Sequence, residues 1–334
     1  MEERLLKDDL FCLVERNLLI GSYQSICLLQ ERSQITHEST NSHSPTKYAD
    51  VSTTTEPSNR ELEASKAAVL TVDSRKLPKD LVDTFAAYKY ISVDDSLQFE
   101  FIRYFDECCA FIEDQRTLGK DVLVHCNAGL SRSATIVTAY LMKEHGVDVK
   151  DALDRLRKAR SAIEPNSNFH QQLLLYQGMG CKLDSSNPSY RQWRLRLLTQ
   201  TGFPVVEIET LLAAGPDSGS SDLFCYRLCR CPLFGLANQL THPVKHAASA
   251  DGDTSEPPYS IASSACVQRE IFIEPVAWMK DEIMQTEGKL NCPQCAKKVG
   301  AFSWFGEKCP CGVFVTPAFH MDKGKVEIRR AIPR

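Results

Sequence analysis

The chain has 334 residues, of which 43% are hydrophobic and 25% are charged, and its formal net charge is -4 at neutral pH. This length suits two domains, and the composition is that of a soluble globular protein. The small net charge gives no sign of nucleic-acid binding, and no stretch approaches the roughly 18 uninterrupted apolar residues of a membrane span. The first ten residues mix acids and bases, unlike a secretory signal, so we expect an intracellular protein in a reducing compartment.

Short apolar segments near the start of the chain favour β-strands. Residues 17–22, 67–74 and 88–93 are apolar runs that end in polar residues, which predicts three strands. Residues 31–64 are rich in Ser, Thr, Asn and Glu and contain few apolar side chains. Such a segment cannot bury enough surface to offset its ordering entropy, so we predict a disordered insertion over 31–64.

Helical and strand patterns then alternate along the chain. Apolar residues between 97 and 116 recur at spacings of three and four, which predicts a helix, and residues 121–125 form an apolar run typical of a buried parallel strand. Helical spacing returns after residue 131 and over residues 148–160 and 167–179. This alternation predicts an α/β fold with a mainly parallel central sheet flanked by helices.

A change of composition divides the chain into two parts. We predict a first domain over 1–182 and a linker with a helical segment over 183–222, where Gly, Pro and Ser become frequent. Residues 223–334 hold most of the closely spaced cysteines and are predicted as a second, cysteine-rich domain.

The segment "VLVHCNAGLSRSAT" leads from the strand at 121–125 into a helix. The backbone N–H groups of a loop at a helix N-terminus point at one spot, where the helix dipole favours an anion. Arg132 can donate two N–H bonds to two oxygens of one phosphate. The sequence therefore predicts a phosphate cradle made by the loop residues Asn127, Ala128, Gly129, Leu130 and Ser131.

Cys126 lies at the base of this predicted cradle. The loop N–H groups, the helix dipole and Arg132 all favour its thiolate form, which is a ready nucleophile. Ser133 can donate a hydrogen bond to the sulfur, and His125 can order the loop from behind. Attack on a phosphoester also needs an acid for the departing oxygen, and Asp94 and Asp95 are both candidates after the strand at 88–93.

The segment "HCNAGLSRS" resembles the signature of cysteine-dependent protein phosphatases, and "SRSAT", "AYLM" and "EPNSNFHQQL" resemble the dual-specificity subgroup. The resemblance implies a nucleophile at Cys126, a phosphate clamp at Arg132, an assisting hydroxyl at Ser133 and a general acid at Asp95 rather than Asp94. It also implies phosphotyrosine and phosphoserine or phosphothreonine as substrates. Because the variable loop residues carry no lysine, we expect phosphoproteins rather than inositol lipids or RNA ends. For an isolated pair of Cys and Arg, an ordinary core thiol and surface charge would be the simpler interpretation.

The tail contains two close cysteine pairs separated by thirteen residues, "CPQC" and "CPC". Two such pairs can place four thiolates around one structural zinc ion, so Cys292, Cys295, Cys309 and Cys311 are predicted to share a site in a small, β-rich, zinc-ribbon-like domain. A second site is suggested by Cys225, Cys229 and Cys231 together with His242, His246 and Cys266, at less regular spacing.

The tail segments "FIEPVAWM" and "GKLNCPQCAKKVGAFSWFGEKCPCG" resemble the C-terminal zinc-binding domain of one family of dual-specificity phosphatases. That family has a C-x2-C pair in its first zinc knuckle, where this chain has Tyr226, and the predicted ligands here are Cys225, Cys229, His242 and Cys266. The resemblance implies one or two structural zinc ions, residence in cytoplasm and nucleus, and an alternative role in late maturation of the large ribosomal subunit, with pre-60S particles as partners. The basic end "KGKVEIRR" suits either an RNA contact or a solvated surface.

Overall fold

A computed structural model describes the chain as two compact units, Met1–Leu183 and Asp184–Arg334. No helix in the described part is long and apolar enough to cross a membrane. The described residues are 11–29, 62–201, 212, 213, 215, 222–240, 270–310 and 312–330.

The first unit is built on a five-stranded sheet in the order β1-β2-β5-β3-β4. Neighbouring strands are parallel except for β1, which pairs antiparallel with β2. The α/β class with a mainly parallel sheet is therefore confirmed. The strands are β1 (Phe11–Glu15), β2 (Leu18–Gly21), β3 (Ala67–Asp73), β4 (Ala87–Ser92) and β5 (Asp121–His125).

Helices connect and flank these strands, as parallel pairing requires. The most buried helix is α4, which begins at Arg132 directly after the loop that follows β5, and its residues from 132 to 142 are all buried. It ends at Gly146, whose φ of 61° suits glycine. The helices are α1 (23–29), α2 (Lys79–Val82), α3 (Phe105–Thr117), α4 (Arg132–His145), α5 (Val149–Ala159) and α6 (Ser167–Gly178).

Three features of this unit differ from the sequence prediction. Strand β1 was not predicted, and it pairs with β2 through a tight turn in which Asn17 has a φ of 62°. The helix predicted from residue 97 begins at Phe105, because the backbone N–H of Phe101 donates to the side chain of Gln172 at 2.7 Å. The predicted insertion lies mostly outside the described residues, but Leu62 at its end is buried in the core.

The second unit is β-rich. Its strands form a four-stranded antiparallel sheet, β8-β13-β10-β9, a three-stranded antiparallel sheet, β14-β6-β7, and the pair β11-β12. Those strands are β6 (Leu223–Tyr226), β7 (Pro232–Gly235), β8 (Glu270–Phe272), β9 (Glu287–Asn291), β10 (Lys298–Ser303), β11 (Glu307–Lys308), β12 (Phe314–Val315), β13 (Ala318–Asp322) and β14 (Val326–Arg329).

The segment predicted as a linker contains a helix, α7 (Pro188–Thr201), that belongs to the second unit. Leu195 of α7 is buried in this unit's hydrophobic core, and Arg191 holds the fully buried Glu274 through two hydrogen bonds of 2.8 and 2.9 Å.

The three tryptophans of the chain, Trp193, Trp278 and Trp304, are all in the second unit.

Candidate active site and metal site

The candidate active site lies where the central strand β5 ends and α4 begins. Parallel strands place their carboxyl ends at one edge of a sheet, where crossover loops commonly form binding sites. Asp73 ends the neighbouring strand β3, and Asp95 follows the next strand, β4. The residues from Cys126 to Arg132, here called the 126–132 loop, therefore share this edge with two carboxylates.

The sulfur of Cys126 is at the centre of the 126–132 loop. The backbone N–H of Gly129 donates to Cys126 Sγ at 3.2 Å, and Ser133 Oγ lies 3.2 Å from the same sulfur. Cys126 is buried, with 1% of its surface exposed. Hydrogen-bond donors directed at this sulfur are placed to stabilise negative charge that develops on it during a reaction.

Gly129 allows the loop to curl this tightly. Its φ is 73°, in the region that favours glycine, and a Cβ at this position would lie 2.6 Å from the carbonyl oxygen of Gly21. The loop thus packs directly on the end of β2. The backbone N–H of Tyr23 reinforces this contact by donating to the carbonyl of Asn127 at 3.1 Å. The predicted small residue is required at this position for steric reasons.

Arg132 is held in place by groups of the strand edge. Its Nη1 lies 3.2 Å from Asp73 Oδ1 and donates to the carbonyl of Val93 at 3.2 Å. Its Nε is buried, makes no hydrogen bond among the described residues and lies 3.7 Å from Asp95 Oδ2. A buried N–H that makes no hydrogen bond costs roughly 1–3 kcal/mol, and an anion bound in the loop would satisfy this donor.

Asp95 is connected to the 126–132 loop through a small network. Its Oδ1 accepts hydrogen bonds from Ser131 Oγ at 2.8 Å and from Asn166 Nδ2 at 2.7 Å. The backbone N–H of Asn166 donates in turn to Ser131 Oγ at 3.2 Å. Asn166 is also the N-cap of α6, so the closing helix fixes both the loop and the carboxylate. Asp95 remains one-third exposed, as a group that meets a substrate must be.

His125 lies behind the loop and is buried. Its Nε2 is 2.7 Å from Thr71 Oγ1 on β3. Burial lowers the pKa of His125 to about 4, although the nearby backbone of Cys126 and the charge of Asp73 oppose this shift. A neutral imidazole at this position supports the loop and does not supply charge.

The structure brings the predicted residues His125 to Ser133 together with Asp95. It adds Asp73, Asn166 and Thr71, which the sequence analysis did not identify. The N-cap position of Asn166 was readable from "PNSNF", but nothing in the sequence indicates that its amide reaches Asp95. Thr71 and Asp73 lie on a strand that pairs with β5 only in the folded sheet.

Other cysteines of the first unit have no comparable surroundings. Burial raises the pKa of Cys109 to about 12 and also raises the pKa of Cys108 and Cys181. These thiols stay protonated at neutral pH and are poor nucleophiles.

The second unit contains a cluster of three cysteines, Cys229, Cys292 and Cys295, with sulfurs all within 4.8 Å of one another. Cys229 Sγ and Cys292 Sγ are 3.5 Å apart. Thiolates around one tetrahedral zinc ion are separated by about 3.8 Å, given Zn–S bonds of about 2.3 Å. The cluster therefore fits a metal ion, which would cross-link the β6–β7 and β9–β10 turns.

The predicted grouping of the metal ligands is corrected in two respects. Cys292 and Cys295 do not gather with Cys309, because β10 leads the chain roughly 20 Å away from their turn before Cys309 follows β11. Cys309 instead packs in a separate cluster with Phe272.

The second correction concerns Cys225, which was predicted to bind the metal together with Cys229. It precedes Tyr226 on β6, and successive side chains of a strand point to opposite faces, so Cys225 faces away from the three-cysteine cluster. The remaining predicted ligands Cys311, His242 and Cys266 lie outside the described residues.

The fold and the 126–132 loop together define a dual-specificity protein phosphatase. Residues 51–179 match the family model described as dual specificity phosphatase, catalytic domain. Over 285 residues the chain is 34% identical to dual specificity protein phosphatase 12 of Homo sapiens, an alignment that covers 81% of this chain and 83% of that protein. It is 30% identical to tyrosine-protein phosphatase YVH1 of Saccharomyces cerevisiae, over 75% of this chain and 80% of that one. The chain therefore belongs to the family of dual specificity protein phosphatase 12.

Among solved structures, that of human DUSP28 matches 52% of this chain and 95% of its own chain, with 21% identity and a TM-score of 0.39. The structure of DUSP15 matches 52% of this chain and 90% of its own, with 24% identity and a TM-score of 0.38.

Proposed function

We propose that the first unit hydrolyses phosphotyrosine, phosphoserine and phosphothreonine in proteins through a cysteinyl-phosphate intermediate. The thiolate of Cys126 attacks phosphorus in line, and the ester oxygen leaves with a proton from Asp95. Water, activated by the same carboxylate, then cleaves the S–P bond, with Ser133 donating to the departing sulfur. The intermediate is consumed and the thiolate is regenerated.

This proposal rests on one observation: hydrogen-bond donors of the 126–132 loop and of α4 surround the Cys126 sulfur and the place where a phosphate would bind. Gly129 N–H and the Ser133 hydroxyl meet at Cys126, while the buried Nε of Arg132 has no hydrogen-bond partner among the described residues. A phosphate in the loop would satisfy that donor and the N–H groups of residues 127–131.

The choice of phosphoprotein as substrate rests on the charge of the loop. Its variable positions are Asn127, Ala128 and Leu130, which are neutral, so they add no cation for a multiply phosphorylated ligand. A single phosphate monoester on a side chain is matched by the one guanidinium of Arg132.

The test is turnover of phosphotyrosine and phosphothreonine peptides by Cys126→Ser. We expect loss of turnover with an unchanged circular dichroism spectrum, because a serine hydroxyl is not ionised in this loop. Acid-quenched reactions of the parent with a radiolabelled phosphopeptide should trap the label on Cys126. Cys27→Ser, a partly exposed cysteine outside the loop, serves as the control and should retain turnover. Undiminished activity of Cys126→Ser would refute the proposal.

We also propose that the metal ion of the second unit is zinc, held by Cys229, Cys292 and Cys295. Three thiolates form a soft donor set that suits zinc and not magnesium or calcium. A second zinc site that includes Cys309 and Cys311, apart from Cys292 and Cys295, is a separate part of this proposal. Metal analysis of the full chain should find one or two zinc ions, reduced by one in Cys292→Ser. A metal-free parent protein would contradict it.

A further inference from the structure

The turn that carries Cys229 has a distinctive hydrogen-bond pattern. In residues 226–231, the backbone N–H of Tyr226 donates to the carbonyl of Cys231 at 2.9 Å, five residues further on. The N–H of Arg230 donates back to the carbonyl of Tyr226 at 2.8 Å, and Arg230 has a left-handed φ of 61°. Its first residue, Tyr226, is buried in a hydrophobic cluster, and its fourth residue, Cys229, packs against the same cluster.

The turn that carries Cys292 and Cys295 repeats this pattern bond for bond. In residues 292–297, the N–H of Cys292 donates to the carbonyl of Lys297 at 2.9 Å. The N–H of Ala296 donates back to Cys292 at 2.8 Å, and Ala296 has a φ of 56°. The two turns are therefore equivalent, and their first and fourth positions provide four places around one ion.

Cysteines occupy three of these four places, and Tyr226 occupies the fourth. Cys229 corresponds to Cys295, so Tyr226 corresponds to Cys292. Tyr226 is buried in the same cluster of side chains as Cys292, and Cys229 and Cys295 pack against that cluster.

Among the described residues, no neighbouring thiol supplies a fourth sulfur. The described group contains Cys229, Cys292 and Cys295 and no other ligand-type residue. Cys225 lies opposite Glu327 of β14 and faces away from the group, and Cys231 Sγ contacts the carbonyl of Pro232 at 3.6 Å.

We propose that this site holds its ion with three thiolates only and leaves the fourth coordination position to an exchangeable small ligand such as water. The inference rests on the proposed binding of zinc to the cluster. Four-thiolate zinc sites are closed, whereas a site with three protein ligands keeps an open position. The ion should therefore be lost to a chelator more readily than from a site with four cysteines.

The number of thiolates can be counted in the full chain loaded with Co²⁺. The difference spectrum between the parent and Cys292→Ser reports this site alone, even if another site also binds cobalt. Sulfur-to-cobalt charge-transfer intensity grows with the number of thiolates, so Tyr226→Cys should raise the difference intensity by about one third. An intensity that does not rise, in a variant that is folded and loaded, would overturn the proposal.

Zinc retention provides an independent readout. Tyr226→Cys should bind zinc more tightly in competition with a chromogenic chelator, on the order of a hundredfold, because it adds one of four ligands. Tyr226→Phe removes only the phenol oxygen and should leave zinc affinity unchanged. A large loss of affinity in Tyr226→Phe would show that the phenol fills the fourth position and would refute the proposal.

Two control variants and the parent separate the remaining outcomes. Cys225→Ser and Cys231→Ser should leave both the cobalt spectrum and zinc retention unchanged, and loss of charge-transfer intensity in either would reveal a fourth thiolate and overturn the inference. A parent protein that binds no metal would overturn the zinc proposal as well. If Tyr226→Cys does not fold, Tyr226→Phe and the two serine variants still decide the question.

Discussion

At the scale of single residues, the phosphate clamp depends on a partner that sequence patterns did not indicate. Asp73 and Arg132 are both nearly buried, and their 3.2 Å contact fixes one end of the guanidinium, while Nε makes no hydrogen bond among the described residues. The negative charge of Asp73 thus positions a donor without occupying it. Asp73 is a positioning residue in this arrangement.

Replacing Asp73 by Asn should lower kcat/KM for a phosphate monoester by roughly 10- to 100-fold, because a hydrogen bond to a charged group contributes about 1.5–3 kcal/mol. KM should rise together with the fall in kcat, since the clamp contacts phosphate in the ground state and the transition state. Steady-state kinetics measures both. The control is Asp83→Asn, at an exposed carboxylate directly after α2. Equal losses in the two variants would contradict this role.

A second prediction at this scale concerns pH. The pKa of His125 is about 4 in the folded protein, against an ordinary value of 6.5. Between these values the unfolded chain binds more protons, so the free energy of unfolding decreases as pH falls from 6.5 towards 4, and the full contribution is present above 6.5. The loss amounts to about 3 kcal/mol.

Hydrogen exchange of residues 121–125 at several pH values measures this effect locally. His125→Gln should flatten the pH dependence of protection, because glutamine does not titrate. His170→Gln, at a half-buried histidine of α6, should keep most of the slope. A parent-like slope in His125→Gln would show that another group is responsible.

At the scale of structural elements, the 126–132 loop was largely predictable because its chemistry lies within one continuous segment. A strand, a small-residue loop and a helix start leave few alternatives for Cys126 and Arg132. Contacts between separate elements were not predictable, as Asn166 on Asp95 and Cys229 beside Cys292 show. Periodicity reports which face of an element is buried, but it does not report which distant element covers that face.

The loop also gives a steric prediction. Gly129 and Gly119 have the same φ of 73°, but a Cβ at Gly119 would meet nothing within 4 Å, whereas one at Gly129 would overlap the backbone of Gly21. Gly119→Ala should cost about 1 kcal/mol for conformation alone, and Gly129→Ala at least about 2 kcal/mol more. Chemical denaturation gives both values. Equal costs would mean that the loop can move away from β2 freely.

Helix α7 is anchored to the second unit by the ion pair of Arg191 and the fully buried Glu274. Arg191→Ala would leave a buried carboxylate without its cation, with only the hydrogen bond from Asn238 Nδ2 to its Oε1, and loss of the charged partner of a buried ion pair costs about 3–5 kcal/mol. We expect much faster hydrogen exchange over residues 270–276 in this variant. Gln200→Ala, at an exposed position of α7, should leave exchange unchanged, and similar behaviour of both variants would argue against the anchor.

At the scale of the whole molecule, the two proposed activities lie in different compact units with their own hydrophobic cores. Domains with separate cores generally keep their folds when the other is perturbed. Cys126→Ser should therefore abolish phosphatase turnover and leave the zinc content unchanged. Cys292→Ser should lower the zinc content and leave turnover of a small phosphoester within about twofold of the parent. Loss of both properties in either variant would refute this independence.

The same two variants distinguish phosphatase activity from the alternative role in ribosome assembly. In cells that lack the native protein, Cys126→Ser should fail to restore growth if catalysis is the essential property. If the second unit acts in maturation of the large subunit, Cys292→Ser should fail and Cys126→Ser should succeed. Growth curves together with sedimentation of ribosomal particles separate these results.

The distribution of aromatic chromophores provides a built-in label. All three indole side chains belong to the unit with the cysteine cluster, so fluorescence excited selectively at tryptophan reports on that unit alone. The phosphatase unit contains no tryptophan and gives no tryptophan fluorescence, while its helices contribute strongly to far-ultraviolet ellipticity. A single denaturation series recorded with both signals can therefore show whether the halves melt together or in succession, without any attached dye.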